Sequence, residues 1–167
     1  MVAAEGAGYI CRNPDAFIHN YSDDSNATKK QESYHLSQVA PANAELSDLL
    51  VAALTEHIGA DSLRTGTNVT AESFYSSQGR IDPNFDDDNH DISKLLVERY
   101  PSARSLEMES FWLLHLAQCS KIPIKATAAA IVLANRLTAK VVDGHRVDEL
   151  ERKGGLSVLE AITKVSL

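Results

Sequence analysis

The stretch SFYSSQGRID, from Ser73 to Asp82, sets an amide and a guanidinium, Gln78 and Arg80, on either side of Gly79 and behind the aromatic pair Phe74 and Tyr75. Side chains alternate faces in an extended chain, so positions 78 and 80 point the same way and present one planar hydrogen-bonding comb. Glutamine offers an acceptor beside a donor, while arginine adds donors that only acceptors can use. Together they match the edge of a heterocycle that shows an N–H between two carbonyl oxygens, with Phe74 placed to stack on or wall the ring. The same residues also fit a polar surface loop turning at Gly79.

A second polar group lies in SLEMES, Ser105 to Ser110. An ionised Glu109 accepts from two neighbouring hydroxyls at once, which suits the vicinal diol of a sugar, and Met108 gives such a sugar a soft apolar face. Glu109 equally fits a first-turn helix acid favoured by the helix dipole. The run DDDNHD, Asp86 to Asp91, lacks the spaced glycine and terminal glutamate of a calcium loop and reads as a solvated acidic turn and helix cap. His115 falls on an apolar helix and reads as a core or interface residue. His35, His57 and His145 show no partner pattern, and no zinc site or nucleophile arrangement is readable.

The elements that must carry these groups alternate between strand and helix. VAAEGAGYICR, at the start, reads as a strand or a strand-to-strand turn, and residues 13–38 as a mobile polar surface loop. Leu46, Leu49, Leu50, Ala53, Leu54 and His57 recur at helical spacing between a capping Asn43 and a closing Gly59. SLRTGTNVTAE favours a strand; a second helix runs from Ile92 to Arg99 and stops before Pro101. ARSLEM reads as a short strand, and ESFWLLHLAQCS, apolar nearly all round, as a buried helix. IKATAAAIVLANR reads as a central strand buried on both faces, and a last helix runs from Val147 to Val165, weakened by Gly154 and Gly155. The alternation predicts an α/β chain, a three-layer αβα arrangement with a mixed, largely parallel sheet. In such sheets ligands gather at strand ends, where both polar segments fall.

Composition bounds the partner. The 167 residues suffice for one domain. Lys and Arg number 16 against 23 Asp and Glu, a net charge of -7, and the scattered cations form no patch for nucleic acid or an anionic membrane. A small partner is expected. Cys11 and Cys119 sit in no metal-ligand spacing and read as free thiols of a reducing compartment. No segment has the pattern of a bilayer span or a signal peptide, so the sequons at Asn26 and Asn68 read as chance and the chain as cytoplasmic.

SFYSSQGR, LEMES and AAAIVLANR, in this order and spacing, resemble the uracil-recognition segment, the ribose-binding segment and a late strand of the uridine phosphorylases, in the nucleoside phosphorylase superfamily. The resemblance runs from VAAEGAGYICRNPDAF to the terminal helix. It implies that Gln78 and Arg80 bind uracil, that Phe74 lines the base pocket, and that Leu133 and Ala134 border the base. It further implies that Glu109 holds the ribose hydroxyls with Met108 against the sugar, and that Glu107 belongs to the same motif. Asn135 and Arg136 stand where related purine enzymes carry an acid, which implies a pyrimidine. The implied reaction is phosphorolysis of uridine to uracil and ribose 1-phosphate, with no cofactor and phosphate as co-substrate. In it Arg80 stabilises charge on the departing base while Glu109 fixes the sugar of an oxocarbenium-like transition state.

Family members carry a glycine-containing phosphate loop ahead of the matched region. Gly6 and Gly8 do not replace it, because no helix N-terminus follows them; they fit a turn. Arg64 and Arg136 are candidate anion contacts, although such arginines more often serve the surface or packing. The resemblance therefore implies the base- and ribose-binding part of a phosphorylase with the N-terminal part missing, and impaired turnover. The alternatives are a non-catalytic nucleoside-binding or oligomer-modulating module and slow hydrolysis by water. Family assembly in dimers, with an apolar sheet edge exposed, implies a homo-oligomer or association with a full-length paralogue.

Overall fold

In the computed structural model, which describes residues 2–18 and 32–166, the sheet is organised around its first strand, β1 (Val2–Arg12). Strand β1 runs parallel to β4 (Arg64–Ala71), from Val2 opposite Arg64 to Ile10 opposite Ala71. In turn β4 runs parallel to β5 (Ala103–Glu107), with Thr70 opposite Glu107. The other edge of β1 is shared by three short antiparallel strands, β2 (Tyr34–Leu36), β3 (Ala40–Pro41) and β6 (Ala129–Ala130). The sheet is therefore mixed, with its three longest strands parallel.

Side-chain alternation along β1 and β4 divides the core between two layers of helix. Ile10, Val69 and Ala71 face Ile92 and Leu96 of α2 (Ile92–Arg99), together with Tyr34 and Tyr100. Ala7 faces the other way, onto Phe111 and Leu114 of α3 (Ser110–Cys119). A separate cluster joins α1 (Ala44–Ile58) to α4 (Gly144–Lys164) through Leu46, Leu50, Leu54, Ile58, Leu150 and Ala161. Each leucine so buried contributes about 1.5–3 kcal/mol. The Asn43 side chain accepts from the Leu46 amide at 2.9 Å to start α1, and Gly59 closes it. The predicted layering, and the predicted bounds of α1 and α2, match these elements.

Several expectations are corrected. Gly6 and Gly8 lie inside β1, not in a turn: the register with β4 slips between Ala4 and Gly6. Gly8 carries the Tyr100 ring, since a Cβ there would stand 2.4 Å from its Cζ. The predicted loop over 13–38 is ordered at both ends, with a 3-10 turn at Pro14–Phe17 and β2 at Tyr34–Leu36; its centre, 19–31, lies outside the described residues. Helix α3 is not buried all round, for Trp112, Leu113 and Leu116 are exposed while Phe111 and Leu114 face the sheet. The late apolar segment is not a central strand. Only Ala129 and Ala130 pair with β1, and the chain then folds into a hairpin closed by the Ala134–Val141 bridge. Helix α4 begins earlier than predicted, at an Asp143 cap, and passes through Gly154 and Gly155 unbroken. Asn68 is fully buried in β4, so the folded chain cannot carry a glycan there. Among the described residues no helix is long and apolar enough to cross a membrane.

Candidate functional site

The two polar segments leave the sheet side by side. Because β4 and β5 are parallel neighbours with Thr70 opposite Glu107, the turn after Ala71 and the turn at Met108 and Glu109 emerge from the same end of the sheet. The strands that launch them are about 4.8 Å apart.

The turn after β4 is not the extended comb expected from the sequence. The Ser73 hydroxyl accepts from the Ser77 amide at 2.9 Å and starts a 3-10 turn over Ser76–Gln78. Gly79 then takes a left-handed conformation, φ 64°, that a side chain would strain. The relation between Gln78 and Arg80 is thus set by a reversal at Gly79 rather than by strand alternation. Arg80 lays its guanidinium 3.8 Å above the centre of the Phe74 ring, and its Nε donates to the Phe74 carbonyl at 2.9 Å. Phe74, about half exposed, therefore serves as a platform that holds the cation flat, with the terminal nitrogens left to donate elsewhere.

Gln78 is buried, and its partner comes from far along the chain. Arg136 Nη2 donates both to the Gln78 carbonyl, at 2.6 Å, and to Gln78 Oε1, at 3.1 Å. With Oε1 turned to Arg136, the Gln78 amide nitrogen remains to donate. Burial, and then the like charge of Arg80, lower the Arg136 pKa. Among the described residues neither guanidinium pairs with a carboxylate. Two cations and an amide donor at one place favour a ligand rich in acceptors or carrying negative charge.

On the other turn, Glu107 uses both carboxylate oxygens on four donors. Oε1 accepts from the Thr70 hydroxyl at 2.6 Å and the Ser110 hydroxyl at 2.7 Å; Oε2 accepts from the amides of Glu109 and Ser110, each at 2.8 Å. A carboxylate has about four acceptor directions, so Glu107 is saturated and caps the start of α3. Thr70 extends the network by accepting from the Phe111 amide at 2.8 Å. Glu109 is exposed, with Oε2 accepting from the Met108 amide at 3.1 Å, and Met108 is half-buried beside it.

Leu133 and Ala134 lie in the hairpin after β6, both exposed. Ala134, with Val132, Val141, Val142 and Arg146, lines a cavity of about 500 Å³ that does not include Gln78, Arg80 or Glu109. The candidate site is therefore defined by converging side chains and not by enclosure. Arg64 does not join it: at the other end of β4, its Nη1 donates to the carbonyls of Asp61 and Leu63. Arg136 does join it, through the Gln78 bonds, which sequence spacing gave no means of seeing. His115 stacks on Phe111 with ring centres 5.3 Å apart, away from both turns in sequence and bonded toward Cys119 of its own helix.

Residues 13–161 match the family model described as the phosphorylase superfamily. Among solved structures, one reported in a structural and catalytic analysis of two diverse uridine phosphorylases from the oomycete Phytophthora capsici superposes with a TM-score of 0.86, at 37% sequence identity. The match covers 99% of this chain and 60% of that one. No curated protein matches the chain.

Proposed function

The chain belongs to the phosphorylase superfamily, and on that premise we propose that it carries the base- and ribose-binding part of a uridine phosphorylase, for the phosphorolysis of uridine to uracil and ribose 1-phosphate. The observation that carries this reading is the convergence of Arg80, Arg136 and the Gln78 amide, uncompensated by any carboxylate among the described residues. Uracil presents two carbonyl oxygens to such donors. As its bond to the sugar breaks the ring gains negative charge, which guanidinium groups already fixed in place stabilise.

In this reading Gln78 and Arg80 bind the base, Phe74 supports Arg80, and Leu133 and Ala134 approach the ring from the hairpin. Glu109 takes the ribose hydroxyls and Met108 packs on the sugar. Glu107 acts through them by fixing the turn, because its own oxygens are already taken. Phosphate is the co-substrate, with no cofactor, and the setting is cytoplasmic pyrimidine salvage. The solved relative is longer than this chain. None of the residues named above is assigned to phosphate, and a companion, either a second copy or a full-length paralogue, is the proposed protein partner. A nucleoside-binding or oligomer-modulating role is the second reading, favoured by a site that converging side chains define without an enclosing cavity.

Uracil release from uridine, followed with and without phosphate, tests the proposal. Phosphate-dependent release supports phosphorolysis. Binding without release supports the second reading, and phosphate-independent release indicates hydrolysis. Failure to bind uridine or uracil at millimolar concentration would remove both readings.

A further inference from the structure

Behind the turn that bears Gln78 and Arg80 stand two buried polar side chains that the reaction itself does not use, Tyr34 of β2 and Asn89 at the approach to α2, 4% and 3% exposed. Asn89 Nδ2 donates to the Arg80 carbonyl at 3.1 Å and reaches the Ser76 carbonyl at 3.4 Å, one bond on each side of Gly79. Asn89 also supplies the floor under that glycine: a Cβ at position 79 would stand 3.3 Å from the Asn89 carbonyl oxygen and 3.1 Å from Ile92 Cβ. The Tyr34 hydroxyl lies 2.7 Å from the Asp87 carbonyl and 3.0 Å from the Ser76 hydroxyl. A phenol has one proton, so it donates to Asp87 and accepts from Ser76. Tyr34 thereby ties the front of the turn to the segment that delivers Asn89. Asp88 between them sits at φ 45°, a left-handed conformation that aspartate tolerates, and its carboxylate accepts from Ser33 beside Tyr34.

We propose that Tyr34 and Asn89 form a clamp of positioning residues that sets the spacing and orientation of Gln78 and Arg80, and so tunes recognition of the base without touching it. The inference rests on the proposed nucleoside reading for its ligand, but the clamp itself is a statement about this turn. A buried amide that grips the carbonyls flanking a left-handed glycine restricts the segment otherwise able to swing. Loss of one such bond changes the local opening equilibrium by about tenfold.

The test uses Tyr34→Phe, which removes only the hydroxyl, and Asn89→Ala, each compared with the unaltered chain. Hydrogen exchange is read at the amides of Gly79 and Arg80, which bond to the carbonyls of Ser76 and Tyr75 within the turn. Calorimetric titration with uracil and, separately, with ribose 1-phosphate gives the ligand split. Exchange about tenfold faster at these two amides, unchanged in β4 and α2, with uracil affinity falling by a similar factor and ribose 1-phosphate affinity unchanged, supports the clamp. Unchanged exchange, acceleration spread evenly through the fold, or faster exchange with undiminished uracil affinity each overturns it. If the unaltered chain binds no uracil, the nucleoside reading fails, while the exchange comparison still decides whether the clamp exists.

Discussion

Replacing Glu107 separates a residue that shapes the site from one that contacts the ligand. Its carboxylate serves four donors, of which the Thr70 hydroxyl and the Ser110 amide and hydroxyl belong to buried residues and the Glu109 amide is exposed. A hydrogen bond to a charged group nets about 1.5–3 kcal/mol when buried, and an exposed donor falls back on water. Crediting the three buried donors at the low end of that range, Glu107→Ala destabilises the fold by about 4–5 kcal/mol. Glu107→Gln should behave differently. The amide oxygen can keep both backbone donors, and the amide nitrogen can donate to the hydroxyls of Thr70 and Ser110 once these turn to accept. What is lost is the negative charge at the start of α3, about 1 kcal/mol. Urea unfolding with an unchanged slope measures both values, and uracil and ribose 1-phosphate titrations accompany it. Equal losses for the alanine and glutamine variants would refute the hydrogen-bond accounting. A stable Glu107→Gln protein that no longer bound ribose 1-phosphate would refute the positioning role.

Arg136→Ala should weaken uracil binding about tenfold, close to the effect of Gln78→Ala, and the double variant should lose little more, because the pair is bonded together; calorimetry over the four proteins gives the coupling. Gly8→Ala drives a methyl into the Tyr100 ring and should cost about 1–3 kcal/mol in urea unfolding, with no change expected for alanine at Gly144, where nothing lies within 4 Å. Glu45 is held down to about 2 by hydrogen bonds from Lys125, then from Ser166. A folded-state value below the unfolded one means this contribution is complete above about 4.5 and is lost as the pH falls toward about 2. Glu45→Gln should therefore flatten the pH dependence of the melting temperature within that window. Because Glu45 is solvent-exposed, about 1 M salt should shrink the effect, and a pH profile identical to the unaltered chain would contradict the assignment.

Local signals in the sequence located the elements that carry the site. Asn43 and Gly59 bracket α1 because capping chemistry is local, and Pro101 marks the end of α2 because its ring restricts the residue before it. The two polar segments were also readable from residue type, and the register of β4 with β5 brings their launching points together. Non-local facts were not readable. The run IKATAAAIVLANR has the composition of a buried strand, but its neighbours in space decide otherwise, and only Ala129 and Ala130 find a partner along β1. Arg136 enters the site through a contact with Gln78, 58 positions away, that no spacing rule reports. Within DDDNHD the charged residues drew attention, yet Asn89, the buried member, holds the neighbouring turn. The apolar circumference of α3 suggested full burial, whereas only the Phe111 and Leu114 side faces the sheet.

The partial exposure of α3 has an optical consequence. Trp112 is the chain's one tryptophan, and it sits just past Glu109 with its ring 5.0 Å from Tyr9 and 5.3 Å from Phe111. Its emission therefore comes from a single, half-solvated position at the head of the helix that Glu107 caps, and Tyr9 lies close enough to pass excitation to it. The molecule thus contains its own fluorophore, so rearrangement of the sugar-side turn can be followed in solution without attaching a dye.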